Sequence, residues 1–93
     1  MGSDEEIILP RRVDASTAPR VRARLHAALA EQASGQVVLD LADVQSLDDV
    51  GLGVLLGAHL AARDQGQSLV LRNIPDRVAG FLYATRLHRV LVA

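Results

Sequence analysis

Apolar and polar positions along the chain fall into short runs of two alternating kinds. Residues 5–9 end in the triplet Ile7-Ile8-Leu9 and are closed by Pro10, the pattern of a short strand whose pairing stops at a proline. Asp14-Ala15-Ser16-Thr17-Ala18-Pro19 then offers capping side chains and a proline suited to a first helical turn. Val21, Leu25, Ala28 and Leu29 follow at helical spacing, which predicts a helix over residues 18–32 that ends at Ser34-Gly35. Its other face carries Arg20, Arg22, Arg24 and Glu31. Val37-Val38-Leu39-Asp40-Leu41 is nearly continuous and β-branched, the pattern of a central strand covered on both faces. Residues 42–49 read as a polar loop, with Leu47 as its inward anchor.

A second helix is predicted over residues 50–65, ending at Gly66. Leu52, Leu55, Leu56, His59 and Leu60 share a broad apolar face. Gly53, Gly57 and Ala61 lie at i, i+4 and i+8 as a small-residue stripe. Each helical glycine costs about 1 kcal/mol against alanine, so the stripe is expected to allow close packing on the sheet or on a partner. Ser68-Leu69-Val70-Leu71-Arg72 is a further strand, and Asn73-Ile74-Pro75-Asp76 a helix entry. Val78, Phe81, Leu82 and Thr85 form the apolar side of a third helix, and residues 89–92 a last short strand. Strands alternating with helices of this length point to parallel crossover units. The expected fold class is α/β: residues 1–93 as a single domain with about four mainly parallel strands and three helices. Residues 1–4 read as a flexible end or a remnant of expression.

Composition narrows what such a domain can do. The 93 residues are 49% hydrophobic and contain no cysteine. That excludes a disulfide framework, a thiolate metal site and a cysteine nucleophile, and makes a reducing cytoplasm the expected location. All ten basic residues are arginine, which leaves no lysine for a Schiff base or a phosphate-binding Gly-Lys-Ser/Thr loop. A formal charge of −1 gives no broad positive field for nucleic acid. The most apolar stretch, residues 50–60, is interrupted by Gly51, Gly53, Gly57 and His59, so no membrane insertion is expected.

The densest polar feature is Asp43-Val44-Gln45-Ser46-Leu47-Asp48-Asp49, which follows the expected central strand and enters the second helix. In parallel α/β sheets, sites favour loops after the carboxyl ends of strands. The bland reading is that Asp48 or Asp49 caps the helix. An EF-hand beginning at Asp43 fails because Gln45, Leu47 and Asp48 stand where two oxygen ligands and a glycine are needed. His26, His59 and His88 lack zinc-site spacing, Ser46 and Ser16 have no nucleophile elbow around them, and Gly51-Leu52-Gly53 lacks the third glycine of a dinucleotide fingerprint. No catalytic residue, metal site or cofactor is expected.

The order of features from Val38-Leu39-Asp40-Leu41 through Leu47-Asp48-Asp49-Val50-Gly51-Leu52-Gly53, Gly66, Leu69-Val70-Leu71, Asn73 and Thr85-Arg86-Leu87 resembles the STAS domain, named for sulfate transporters and anti-sigma factor antagonists. Asp14 with Thr17-Ala18-Pro19 resembles the family's aspartate ahead of its first helix. The resemblance implies a cytoplasmic, non-enzymatic protein-binding module. Antagonists of this family bind an anti-sigma factor that is also a serine kinase, and phosphorylation of a Ser or Thr before the Gly-Leu pair ends that binding. A phosphate there adds nearly two negative charges and three acceptors at a helix start.

The chain departs from that pattern where it matters. Asp-Ser-Ser/Thr-Gly-Leu becomes Asp48-Asp49-Val50-Gly51-Leu52, so Val50 replaces the switch hydroxyl and no phosphorylation is expected there. Ser46 lies outside the switch position. Either Val50 presents a permanently unmodified surface, or the charge of Asp49 partly imitates phosphate; the first is favoured, because one carboxylate has less charge and fewer acceptors. The partner-binding residues the resemblance implies are Asp14, Asp48, Asp49, Val50, Gly51, Leu52 and Leu55. Relative to the family pattern a first strand and a terminal helix are missing, which points to a free sheet edge and hence a homodimer or a partner-bound form. The alternative is a STAS subunit or scaffold of another assembly, such as a lipid ABC transporter complex or a stressosome-like particle. A nucleotide-binding role has no phosphate loop to support it.

Overall fold

A computed structural model describes residues 5–31 and 35–84. The elements are β1 Glu5–Ile8, β2 Arg12–Val13, α1 Ala18–Glu31, β3 Gly35–Asp40, β4 Ser46–Leu47, α2 Asp49–Asp64, β5 Gln67–Arg72 and α3 Asp76–Ala84. The strand predicted over residues 89–92, Thr85 at the end of the third helix, and the end of the first helix at Gln32 to Ser34 lie outside the described residues.

The continuous apolar run at Val37-Val38-Leu39 places β3 in the middle of the main sheet, in the order β1-β3-β5, with both neighbours parallel to it. All three residues are buried, as a strand covered on both faces requires. The registers Ile7↔Leu39 and Leu39↔Leu71 line up apolar residues on one face. There they meet Val21, Leu25 and Leu29 of α1, Leu55, Ala58 and Ala62 of α2, and Val78 and Leu82 of α3 in one core. Each fully buried Leu or Val contributes about 1.5–3 kcal/mol relative to exposure. Helices α1 and α2 pack on each other, and α2 packs on β5.

The second sheet was not legible in the sequence. β2 and β4 are two residues each and pair in parallel, Arg12 opposite Ser46 and Val13 opposite Leu47. The Arg11 carbonyl accepts from the N–H groups of Gln45 (2.7 Å) and Ser46 (3.1 Å), which ties the segment after β1 to the segment before α2. Leu47 packs half-buried against the core, as its reading as an anchor required. At the other end of α2, Gly66 adopts a φ of +73° and its N–H donates to the Arg63 carbonyl at 3.1 Å, stopping the helix where the sequence placed its end.

Candidate partner-binding site

The parallel pairing of β2 with β4 ends two strands side by side, and an aspartate follows each. Asp48 takes an extended conformation (φ −109°, ψ −176°) and caps α2: its Oδ1 accepts from the Gly51 N–H at 2.9 Å, while its carbonyl accepts from Leu52 N–H at 2.9 Å. The Asp48 N–H donates to the Val13 carbonyl at 3.3 Å. That same carbonyl lies against Gly51. A Cβ at Gly51 would collide with the Val13 carbonyl oxygen and come within 2.7 Å of its carbon. Glycine is required here by space, and the absence of a side chain lets the helix start sit directly on β2.

Asp14 organises the other half. Its Oδ1 accepts from the Ser16 N–H (2.9 Å) and hydroxyl (2.6 Å), and its Oδ2 pairs with Arg12 Nε at 3.0 Å. These partners, the Ser16 hydroxyl foremost, hold the carboxyl below its ordinary 3.8. The buried Thr17 hydroxyl donates to the Arg12 carbonyl (2.8 Å) and accepts from the Asp14 N–H (3.1 Å), which fixes the turn into α1. Asp14 is thus a hub of the turn that follows β2.

Of the seven residues implied by the resemblance, Asp14 is half-buried in its turn and the other six divide by exposure. Asp48, Asp49 and Val50 face solvent, Val50 at 47% exposure on the first turn of α2. Leu52, Leu55 and Gly51 do not: Leu52 is 5% exposed, Leu55 fully enclosed, and Gly51 pressed on β2. These three lie beneath the exposed helix start and not on it, because a helix laid on a sheet must bury the stripe that carries its largest aliphatic side chains. Of the two alternatives for the small-residue stripe, packing on the sheet does not hold for its two glycines, while Ala61 packs against the core. Nothing lies within 4 Å of a Cβ built at Gly53 or Gly57, so neither glycine is packed on the sheet. Leu60 departs from the predicted apolar face too, at 48% exposure.

One component was missed. A groove of about 270 Å³ beside β4 is lined by Leu47, Val78 and Phe81 with Gln45, Ser46 and Arg77. Arg77 Nη1 donates to the Gln45 carbonyl at 3.2 Å and bridges α3 to the loop. The half-buried Leu47 and the apolar face of the third helix were its available signals. The site is therefore an exposed helix start with two carboxylates and an aliphatic side chain, beside a shallow apolar groove. Such a surface is equipped for recognition through shape and charge.

The family profile described as "Mlab, STAS domain" matches residues 4–93. The chain belongs to the STAS domain family. This STAS domain is 33% identical over 88 residues to the anti-sigma-B factor antagonist of Listeria monocytogenes, spanning 92% of the chain and 75% of that relative. It is 32% identical over 89 residues to the anti-sigma-B factor antagonist of Bacillus subtilis, spanning 96% and 80%. The crystal structure of TM1081 from Thermotoga maritima superposes with a TM-score of 0.80 at 22% identity, over 94% of this chain and 76% of that one. An NMR structure of TM1081 gives 0.78 at 20% identity, over 92% and 69%. These two likenesses establish the STAS fold. Among the described residues of the STAS domain, no helix is long and apolar enough to cross a membrane.

Proposed function

We propose that this STAS domain is a non-enzymatic regulatory module of the cytoplasm. In this reading it binds an anti-sigma factor of the serine-kinase class through the start of α2 and is not itself phosphorylated there. The observation that carries the reading is Val50: an aliphatic side chain, 47% exposed, stands where the family has its switch hydroxyl. The residue has no oxygen to accept a phosphoryl group, so binding does not end by that route. The similarity to anti-sigma-B factor antagonists supports the partner class. The capped and clamped helix start supports a preformed surface, which lowers the ordering cost of association.

The test is binding of the purified domain to the kinase-type anti-sigma factor of its host. Val50→Arg should weaken it at least tenfold, about 1.4 kcal/mol, with the melting curve unchanged. Val50→Ser should accept the γ-phosphate of ATP from that kinase and then release it. Binding by Val50→Arg within twofold of the unaltered protein would remove the helix start from the interface. The buried Leu52 is unsuited to this test, since Leu52→Arg would disrupt the core.

A second reading has an observation of its own. The open face of α2 continues from Val50 through Gly53 and Gly57 to Leu60, which fits a long, permanent contact such as a STAS subunit makes in a larger assembly. Copurification with permease and ATPase subunits, without any kinase, would favour a lipid ABC transporter complex over the anti-sigma reading.

A further inference from the structure

On its solvent side α2 carries a second regularity. Val50, Gly53, Gly57 and Leu60 are spaced three, four and three residues apart, the spacing by which one helix meets another along a seam. The seam is open: Val50 is 47% exposed and Leu60 48%, and nothing lies within 4 Å of a Cβ built at Gly53 or Gly57. Along one edge of it, seven residues apart, run Asp49, the half-buried Leu56 and Arg63. Asp49 and Arg63 are exposed, and neither holds an ion pair among the described residues. Between them, residues 50–62 contain no Asp, Glu or Arg.

We propose that this face is a self-complementary interface, on which α2 of a second copy of the chain lies antiparallel. Run in opposite directions, two such helices set Val50 of each against Leu60 of the other, and Gly53 of each against Gly57 of the other. The same register sets Asp49 against Arg63 at both ends of the edge and Leu56 against Leu56 in its middle. One alignment thus satisfies the apolar seam and the charges together, and it repeats about a two-fold axis, as an isologous contact requires. A parallel pair would bring no cation to Asp49 and would align the two helix dipoles. The charges select a second copy as the occupant: an acid at one end and a base at the other end of an uncharged seam match each other after a half-turn. The glycines only permit close approach. Asp64, the next seam position, lies beyond the paired stretch, since the residue opposite it precedes α2. A helix of 16 residues is about 24 Å long and about 10 Å wide, so the contact falls short of the about 1,200–2,000 Å² of stable interfaces. The dimer is therefore weak and concentration-dependent. It covers Val50, so a paired chain is withheld from an anti-sigma partner; that consequence rests on the reading above, and the dimer itself does not.

The test uses the purified chain alone, so its failure leaves the anti-sigma reading standing. Sedimentation velocity from micromolar to millimolar protein should show a monomer–dimer equilibrium. Leu60→Glu, at an exposed position, should weaken it at least tenfold, with an unchanged melting curve at the lowest concentration. Asp49→Arg and Arg63→Asp should each weaken it at least threefold, and the two together should restore it. The chain has no cysteine, so Val50→Cys and Leu60→Cys proteins can be mixed in a glutathione redox buffer. The mixture should form a disulfide-linked dimer that neither variant forms alone. Like positions stand about 15 Å apart along the pair, ten residues at about 1.5 Å each, whereas a disulfide needs Cα atoms within about 7 Å. A chain monomeric throughout, a dimer untouched by Leu60→Glu, charge variants whose combination stays weak, or cross-linking by Val50→Cys alone would each overturn the proposal.

Discussion

Three glycines of α2 should respond in opposite directions to the same added methyl group. At Gly51 a Cβ lies 2.7 Å from the Val13 carbonyl carbon and 2.8 Å from its Cγ1, where ordinary contact begins at 3.4 Å. The obstacle is backbone, so β2 and α2 must separate by at least 0.7 Å, the difference between 3.4 and 2.7 Å. That movement stretches the 3.3 Å hydrogen bond from Asp48 N–H to the Val13 carbonyl past its useful range. Overpacking costs about 1–3 kcal/mol and the hydrogen bond about 0.5–1.5 kcal/mol, against at most about 1 kcal/mol regained from helix propensity. Gly51→Ala should therefore destabilise the fold by about 2 kcal/mol. In a domain this size that lowers Tm by roughly 8–16 °C. Gly53→Ala and Gly57→Ala meet nothing within 4 Å and should each stabilise by about 0.4–1 kcal/mol. Urea and thermal unfolding followed by circular dichroism read all three. A Gly51→Ala protein as stable as the parent, or a destabilised Gly53→Ala, would refute the packing of α2 described above. Binding assays on the two stabilised variants carry a second readout, since a partner that approaches α2 closely should bind them less tightly although they fold better.

Asp48→Ala removes the α2 cap and should cost about 1 kcal/mol in urea unfolding, since the Gly51 N–H loses its acceptor. Leu55→Ala, at a fully enclosed site, should cost about 2–5 kcal/mol by the same measurement. Asp14 has a depressed carboxyl, so its contribution is present above the ordinary value of 3.8 and lost as pH falls through the lower folded value. The stability gap between the parent and Asp14→Asn should thus be constant near neutrality and close on acidification below 3.8, measured as urea midpoints across pH.

Periodicity made the large elements readable. The unbroken Val37-Val38-Leu39 run has no solvent face to offer and could only be central, and Gly66 marks the end of α2 because its backbone takes a left-handed turn. The β2–β4 pair was hidden for the opposite reason: two residues have no period, and their pairing depends on chain segments more than thirty positions apart. The faces of α2 were ambiguous because apolar or small residues occupy both. The spacing Leu52, Leu55, Ala58, Ala62 describes the buried side, while Val50, Gly53, Gly57 and Leu60 describe the open one. Which stripe meets the sheet depends on how the helix is seated, and the seat is the carbonyl of Val13. The aspartates were correctly placed at a helix start, but the fit of Gly51 against β2 needed a neighbour thirty-eight residues earlier in the chain.

The seat of α2 has a practical consequence for reprogramming the surface. The helix start is held by the backbone of Val13, the missing side chain of Gly51 and the cap from Asp48. Asp49 and Val50 project from this frame without bracing it. A library randomised at those two positions should keep its fold almost throughout, with stability changes within about 0.5 kcal/mol, so the domain can serve as a scaffold whose recognition address is rewritten at two adjacent positions.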